Sequence, residues 1–186
     1  MPILPKERDP RLVTLRRGGT LSDDDHRALM AWSIACAEHV LPLFEREAGA
    51  TAAGAPAGTA TGAVDPRPRD ALAIARAWAR GEVPMATAHR AAFQANAAGR
   101  GLPDAARFAA LAAGQAVAVA HVAAHDLGAA AYAIRAVGAS VAADRADAAR
   151  AAERAWQRAI IPAEVRDLVL DDQRRRSALC WNVFDD

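Results

Sequence analysis

The stretch that decides the fold runs from Asp104 to Val141 and reads DAARFAALAAGQAVAVAHVAAHDLGAAAYAIRAVGASV. Almost every residue in it is small and apolar. Alanine is the best helix former, because it loses no side-chain entropy when the helix forms. A helix that is apolar on nearly all sides is normally buried on nearly all sides. We therefore expect this stretch to lie at the centre of a bundle, with the other helices packed around it.

The polar residues of this stretch predict where it divides. We expect two helices, with a break between His121 and Asp126 and with Asp126 near the start of the second helix. The stretch is long enough to raise the question of a membrane span. Charged residues such as Arg107, Asp126 and Arg135 interrupt it, and each costs about 2.5–3.5 kcal/mol at the centre of an inserted helix. No membrane span is expected.

Composition limits the class of protein. The 186 residues suffice for one domain with a core, and an apolar fraction of 53% is typical of a globular chain. A formal net charge of +1 provides no field for nucleic acid. The 2 cysteines are too few for a disulfide framework. With no signal peptide visible, the expected location is the cytoplasm.

The first third of the chain reads as a leader, a helix and a loop. Prolines keep residues 1–20 extended or turned. Ser22 is the expected N-cap of a long helix that is kinked by Pro42 and ends near Glu47. Residues 48–64 are of low complexity and read as a flexible loop.

The remainder predicts helices only, since no run shows period-two alternation. Helices are expected over Asp65–Arg80, from Pro84 onward, through the central stretch, over Asp144–Ile161 and over Ala163–Trp181. The fold class is all-α: a single helical domain over residues 1–186, with about six to seven helices around a central alanine-rich helix pair.

Helical spacing also predicts which residues of two later helices are buried, and which charges lie on a solvated face. The apolar stripe of the helix that begins at Pro84 is predicted to contain Met85, Ala88, Ala92, Phe93 and Ala97. The apolar stripe of the Asp144–Ile161 helix is predicted to contain Ala148, Ala152, Ala155, Trp156 and Ile160. The charges predicted to lie on a solvated face are Asp171-Asp172 and Arg174-Arg175-Arg176.

Two histidines in the central stretch are candidate metal ligands. His121 and His125 are four residues apart, so on one helix they share a face, and Asp126 is adjacent. They do not form an H-E-x-x-H motif, and a third ligand would have to come from elsewhere, with His39 or Glu38 as the candidates. The alternative is structural: buried imidazoles bonded to backbone or carboxylate groups.

Two further groups of residues have both a functional and a structural interpretation. Cys36 and His39 share a helix face, so they could form a nucleophile pair, although residues one turn apart rarely align for attack. The large aromatic side chains either line a pocket or fill the core; they are Trp32, Trp78, Tyr132 and Trp156.

Five stretches together carry a family resemblance. They are RDPRLVTLRRGGTLSDDDH (Arg8–His26), WSIACAEHVLPLFE (Trp32–Glu45), DPRPRDALAIARAWARGE (Asp65–Glu82), AAGQAVAVAHVAAHDLGAAAYAIRAV (Ala112–Val137) and EVRDLVLDDQRRRSALCW (Glu164–Trp181). They resemble the Imm-5-like family of bacterial immunity proteins, apart from the insert at 48–64 and Pro42. The resemblance implies a small cytoplasmic helical protein that neutralises a cognate toxin by binding it. It implies no catalytic residues.

Two hypotheses follow from the sequence. In the first, an exposed face binds a toxin, with the arginine-bearing leader and the outer sides of Asp65–Arg80 and Ala163–Trp181 as expected faces. The near-zero net charge disfavours a strongly basic nuclease as that partner. No cofactor is then expected, and the oligomeric state stays open. In the second, a small-molecule or divalent-metal enzyme uses a pocket formed by His39, His121, His125 and Asp126. Convergence of these four side chains on one cavity would favour the second.

Overall fold

The computed structural model describes residues 4–53 and 64–186 of the chain. Within these ranges the chain forms seven α-helices and no strand, which confirms the all-α prediction. The helices are α1 (Asp23–Ala53), α2 (Arg67–Ala79), α3 (Met85–Ala98), α4 (Asp104–Ala118), α5 (Asp126–Ala139), α6 (Ala146–Ala159) and α7 (Arg166–Arg176).

Helices α4 and α5 form the centre of the bundle, as the alanine-rich stretch predicts. Helix α4 packs against α1, α2, α3 and α5, and helix α5 packs against α1, α4 and α6. Ten residues of each central helix are buried, mostly alanine and glycine. Small side chains let the helix axes approach closely on several sides at once. The predicted break is also confirmed: a short 3-10 turn, Ala123–His125, separates α4 from α5, which begins at Asp126.

Helix α1 begins as predicted but continues further. The Ser22 hydroxyl accepts a hydrogen bond from the backbone N–H of Asp25 at 3.0 Å, the arrangement of an N-cap. The predicted end near Glu47 is wrong, because α1 runs to Ala53 with Pro42 inside it. The alanine-rich residues after Glu47 continue the helix by propensity. Residues 48–53 of the predicted loop therefore belong to α1, and residues 54–63 lie outside the described residues.

The leader is folded into turns, one of the two conformations that its prolines favour. Two 3-10 turns, Pro10–Leu12 and Leu15–Arg17, are followed by an isolated bridge between Thr14 and Leu21. The Asp9 carboxylate caps the first turn by accepting the backbone N–H of Arg11 at 2.9 Å. Proline favours the first position of such a turn.

The predicted stripes of α3 and α6 are wrong in part. Phe93 of α3 is 63% exposed, and Met85 is 42% exposed, whereas alanines fill the buried face of that helix. On α6, Ala148, Ala152 and Ala155 are exposed, and the buried side chains include Glu153 and Gln157. Alanine is apolar but small, so either face of an alanine-rich helix can be the buried one, and polar groups with buried partners then decide the choice.

None of the described helices is both long enough and apolar enough to cross a membrane.

Candidate functional site

A concave groove lies at the end of the bundle where the leader meets α1, the end of α2, the start of α3 and the connection between α4 and α5. Its volume is about 420 Å³. Part of its wall is apolar, with Leu12, Trp78 and Val122 among the lining residues. We call it the arginine groove after the five arginines that line it, which are Arg8, Arg16, Arg17, Arg27 and Arg80.

Three of the five arginines are paired with nearby carboxylates, and two are not. Arg16 contacts Asp23 at 2.8 Å, Arg27 contacts Asp24 at 2.7 Å and Arg80 contacts Glu82 at 2.6 Å. Among the described residues, Arg8 and Arg17 pair with no carboxylate. Arg17 donates instead to the backbone carbonyl of His121, at 3.2 Å. The groove therefore holds two guanidinium groups that form no ion pair with a carboxylate of the described residues.

Three exposed apolar side chains lie on the leader and α3, two of the segments that form this groove. Met85 lines it directly, and Leu15 lies between the lining residues Thr14 and Arg16. Phe93 follows Met85 by two helical turns on α3, with His89 between them on the same face. The imidazole of His89 packs edge-on against the Phe93 ring, with 5.0 Å between the ring centroids. Exposed aromatic and arginine side chains are typical of protein–protein interfaces.

A row of three histidines leads from α3 into the connection between α4 and α5. The ring centroids of His89 and His121 are 4.8 Å apart, and those of His121 and His125 are 5.0 Å apart. The Nδ1–H of His125 donates to the Gln115 side-chain oxygen at 2.7 Å. Gly128 makes room for that amide, since a Cβ at Gly128 would lie 2.5 Å from the same oxygen.

The inner histidines of this row are held neutral. Burial lowers the pKa of His125 to about 4, and the neighbouring His121 and Arg176 act in the same direction. Burial also lowers the pKa of His121, to which His89 and then Arg17 contribute. The Nδ1 atom of His121 is buried and has no hydrogen-bond partner among the described residues. These imidazoles therefore stay uncharged at neutral pH.

Asp126 belongs to a buried ionic network and not to the histidine row. Arg176 bonds Asp172 through two guanidinium nitrogens, donates to the Ala124 carbonyl at 2.9 Å and contacts Asp126 at 3.3 Å. Asp126, Asp172 and Arg176 are all buried. Burial raises the pKa of Asp126, and Arg176 opposes this effect. The prediction that Asp172 and Arg176 lie on a solvated face is wrong, because α7 turns them toward the core; only Arg174 and Arg175 are exposed.

His39 lies against α6. Its Nδ1–H donates to the buried Glu153 carboxylate at 2.7 Å, and its ring stacks on Trp156 with centroids 3.9 Å apart. The other oxygen of Glu153 accepts from the Gln157 amide at 2.9 Å. Cys36 is fully buried, and burial raises its pKa well above the ordinary value, so its thiol is unsuited to act as a nucleophile beside His39.

The four predicted aromatic residues have different roles. Trp32 is buried, and its indole N–H donates to the Gln157 carbonyl at 2.9 Å, so it fills the core. Trp78 lines the arginine groove, with its ring edge-on to His26 at 5.0 Å. Tyr132 packs against Trp181 at 5.1 Å between ring centroids, and Trp156 covers His39.

The structure brings together only part of the predicted pocket. His121 and His125 are adjacent, whereas His39 binds Glu153 and Asp126 contacts Arg176. In the part of the chain that the structure describes, no group of three or more histidine, cysteine, aspartate or glutamate side chains could hold a metal ion.

Several residues of the arginine groove and the histidine row could not be assigned from sequence. No sequence pattern linked His89 to the other histidines of the row, because His121 and His125 lie in a different segment of the chain. In the sequence, Arg8 and Arg17 belong to the arginine-bearing leader, and Arg80 ends the helix expected from Asp65. Their shared groove depends on how the leader folds back across the ends of α1 and α2, which no local pattern records.

Comparison with known proteins agrees with the resemblance in the sequence. The family described as Imm-5 like putative immunity protein matches residues 19–164, from the end of the leader through α6. No curated protein and no solved structure matches the chain. The match covers well over half of the 186 residues and nearly all of the bundle. The chain therefore belongs to the family of Imm-5 like immunity proteins.

Proposed function

We propose that this chain is an immunity protein that binds and neutralises a cognate protein toxin of the bacterium that makes it. The family match over residues 19–164 is the observation that carries the proposal. The site geometry supports binding over catalysis, because the candidate acid–base groups have other partners. His39 donates to Glu153, and Asp126 contacts Arg176.

The proposal places the protein in the cytoplasm. Both cysteines, Cys36 and Cys180, are free and buried. Free thiols persist where the compartment is reducing, which agrees with this location.

The proposal is tested by growth. An immunity protein protects the cell that makes the toxin, so the toxin should be encoded near this chain's own gene. Each flanking gene is expressed in a laboratory bacterium with and without this chain. We expect one flanking product to stop growth and co-expression of this chain to restore it.

The matched control is the same co-expression with an unrelated helical protein of similar size, which should not restore growth. A flanking product that stops growth equally with and without this chain contradicts the proposal. A complete set of flanking products of which none is toxic contradicts it as well.

A further inference from the structure

We propose that the arginine groove is the surface that receives the protein partner, and that the partner presents an acidic segment carrying an apolar side chain. The identity of that partner as a toxin rests on the proposed function. The chemistry of the segment is argued from the groove alone.

The first argument is charge. Arg8 and Arg17 lack a carboxylate partner among the described residues, although fourteen other arginines of the chain have one. Guanidinium groups bind carboxylates through two parallel hydrogen bonds, which are stronger than neutral ones. The positive field is also felt by the protein itself, since Arg17 and Arg8 contribute to the lowered pKa of His121. Two guanidinium groups without a carboxylate partner at one groove therefore favour a ligand with carboxylates.

The second argument is shape and apolar surface. A concavity of about 420 Å³ is within the range that accommodates several side chains. Among the described residues only four large apolar side chains are exposed, and three of them lie on the leader and α3, two of the segments that form this groove: Leu15, Met85 and Phe93. Of these, Met85 lines the groove. An apolar side chain of the partner would contact Met85 in the groove, and adjoining partner residues would cover Leu15 and Phe93.

The same observations disfavour the other occupants. A second copy of this chain, bound through a two-fold interface, would place arginine against arginine. A free phosphate would satisfy the guanidinium groups but would leave Leu15, Met85 and Phe93 in water. Nucleic acid affinity grows with the number of phosphates neutralised, and two unpaired arginines in a chain of net charge +1 provide little of it.

The direct test uses a defined probe. Full-length protein labelled with 15N is titrated with the acetylated peptide Glu-Glu-Leu-Glu-Glu, with its all-glutamine analogue, and with inorganic phosphate, and the amide and arginine side-chain resonances are followed. We expect saturable shifts at the groove with the acidic peptide. The glutamine analogue and phosphate should each bind at least about tenfold more weakly.

Three double variants, one of them a matched control, make the test specific. In Arg8→Glu/Arg17→Glu the dissociation constant of the acidic peptide should rise at least about tenfold, and in Arg8→Gln/Arg17→Gln by a smaller factor. The matched control is Arg100→Glu/Arg145→Glu, which makes the same charge change at two exposed arginines outside the groove. The control should stay within about twofold of the wild-type value. All substituted side chains are exposed, and urea unfolding midpoints verify that each variant is folded.

Three outcomes overturn the inference. The first is unchanged peptide binding in Arg8→Glu/Arg17→Glu. The second is phosphate binding as tight as that of the peptide, which would make the groove a small-anion pocket. The third is a toxin that is neutralised equally well by wild type and by Arg8→Glu/Arg17→Glu. That last result contradicts the inference about the groove but leaves the proposed immunity function intact. Conversely, charge-dependent peptide binding with no toxin to neutralise would contradict the proposed function and would still support an acidic ligand for the groove.

Discussion

Replacing Arg176 with glutamine should destabilise the protein far more than the same change at Arg174, on the same helix. Arg176 is 4% exposed and is bonded to Asp172, Asp126 and the Ala124 carbonyl. Its removal leaves two buried carboxylates, at Asp126 and Asp172, without a cation. Removing one partner of a buried ionic network costs about 3–5 kcal/mol. The total stability of a domain is about 5–15 kcal/mol, so a large share of it would be lost.

Arg174 provides the matched control. Its side chain is 72% exposed, and it contacts Asp171 at 3.0 Å. An exposed pair of this kind contributes about 0–1 kcal/mol, so Arg174→Gln should leave the free energy of unfolding nearly unchanged. Urea unfolding followed by circular dichroism measures both variants. A difference between them of less than about 1 kcal/mol would refute the assignment of Arg176 as the cation of a buried network.

A second substitution tests the cause of the loss. If unpaired buried charge is responsible, then Asp126→Asn should cost less in the Arg176→Gln background than in the wild type, because it removes a carboxylate that has lost its cation. The double-mutant cycle would show no coupling if the loss came from packing alone.

Three further predictions concern stability. Below pH 6.5 His125 is protonated in the unfolded chain but not in the folded protein, where its pKa is about 4. The free energy of unfolding should therefore fall by up to about 3 kcal/mol as the pH is lowered from 6.5 to 4. Unfolding curves of His125→Gln should show a smaller fall over the same range. Gly128→Ala would force its Cβ toward the Gln115 amide and should cost about 1–3 kcal/mol by thermal unfolding; an unchanged midpoint would show that the Gln115 side chain moves aside freely. Pro42→Ala should stabilise the protein by about 1–3 kcal/mol in urea unfolding, because the exposed Pro42 lies inside α1 and lacks a helical donor; unchanged stability would show that the helix has already adapted to it.

Local signals in the sequence predicted the ends and breaks of helices well. Ser22 caps α1, Gly81 follows α2 with a positive φ of 77°, and the chain breaks between His121 and Asp126. Each of these depends on residues within a few positions of one another. The predicted end of α1 is wrong because Pro42 does not end the helix and the alanines after Glu47 continue it by propensity.

Burial was harder to predict, because alanine does not distinguish one face of a helix from another. On α6 the buried positions are Glu153 and Gln157, whose partners His39, Trp32 and the Ala130 carbonyl belong to α1 and α5. On α7 the buried Arg176 bonds Asp172 one turn earlier, but it also bonds Ala124 and Asp126, some fifty positions earlier in the chain. Such pairings depend on tertiary contacts, so no periodicity within one helix could reveal them. The arginine groove was unpredictable for the same reason.

The central claim, that this chain neutralises a toxin by binding it, is tested most directly by the stoichiometry of neutralisation. The purified growth-arresting protein is mixed with increasing amounts of this chain, and its remaining activity is measured over time. Binding predicts a linear loss of activity that is complete at an equimolar ratio and does not deepen with longer incubation. Complete loss at a small fraction of an equivalent, progressing with time, would contradict the claim, because it would show that the chain turns over its target.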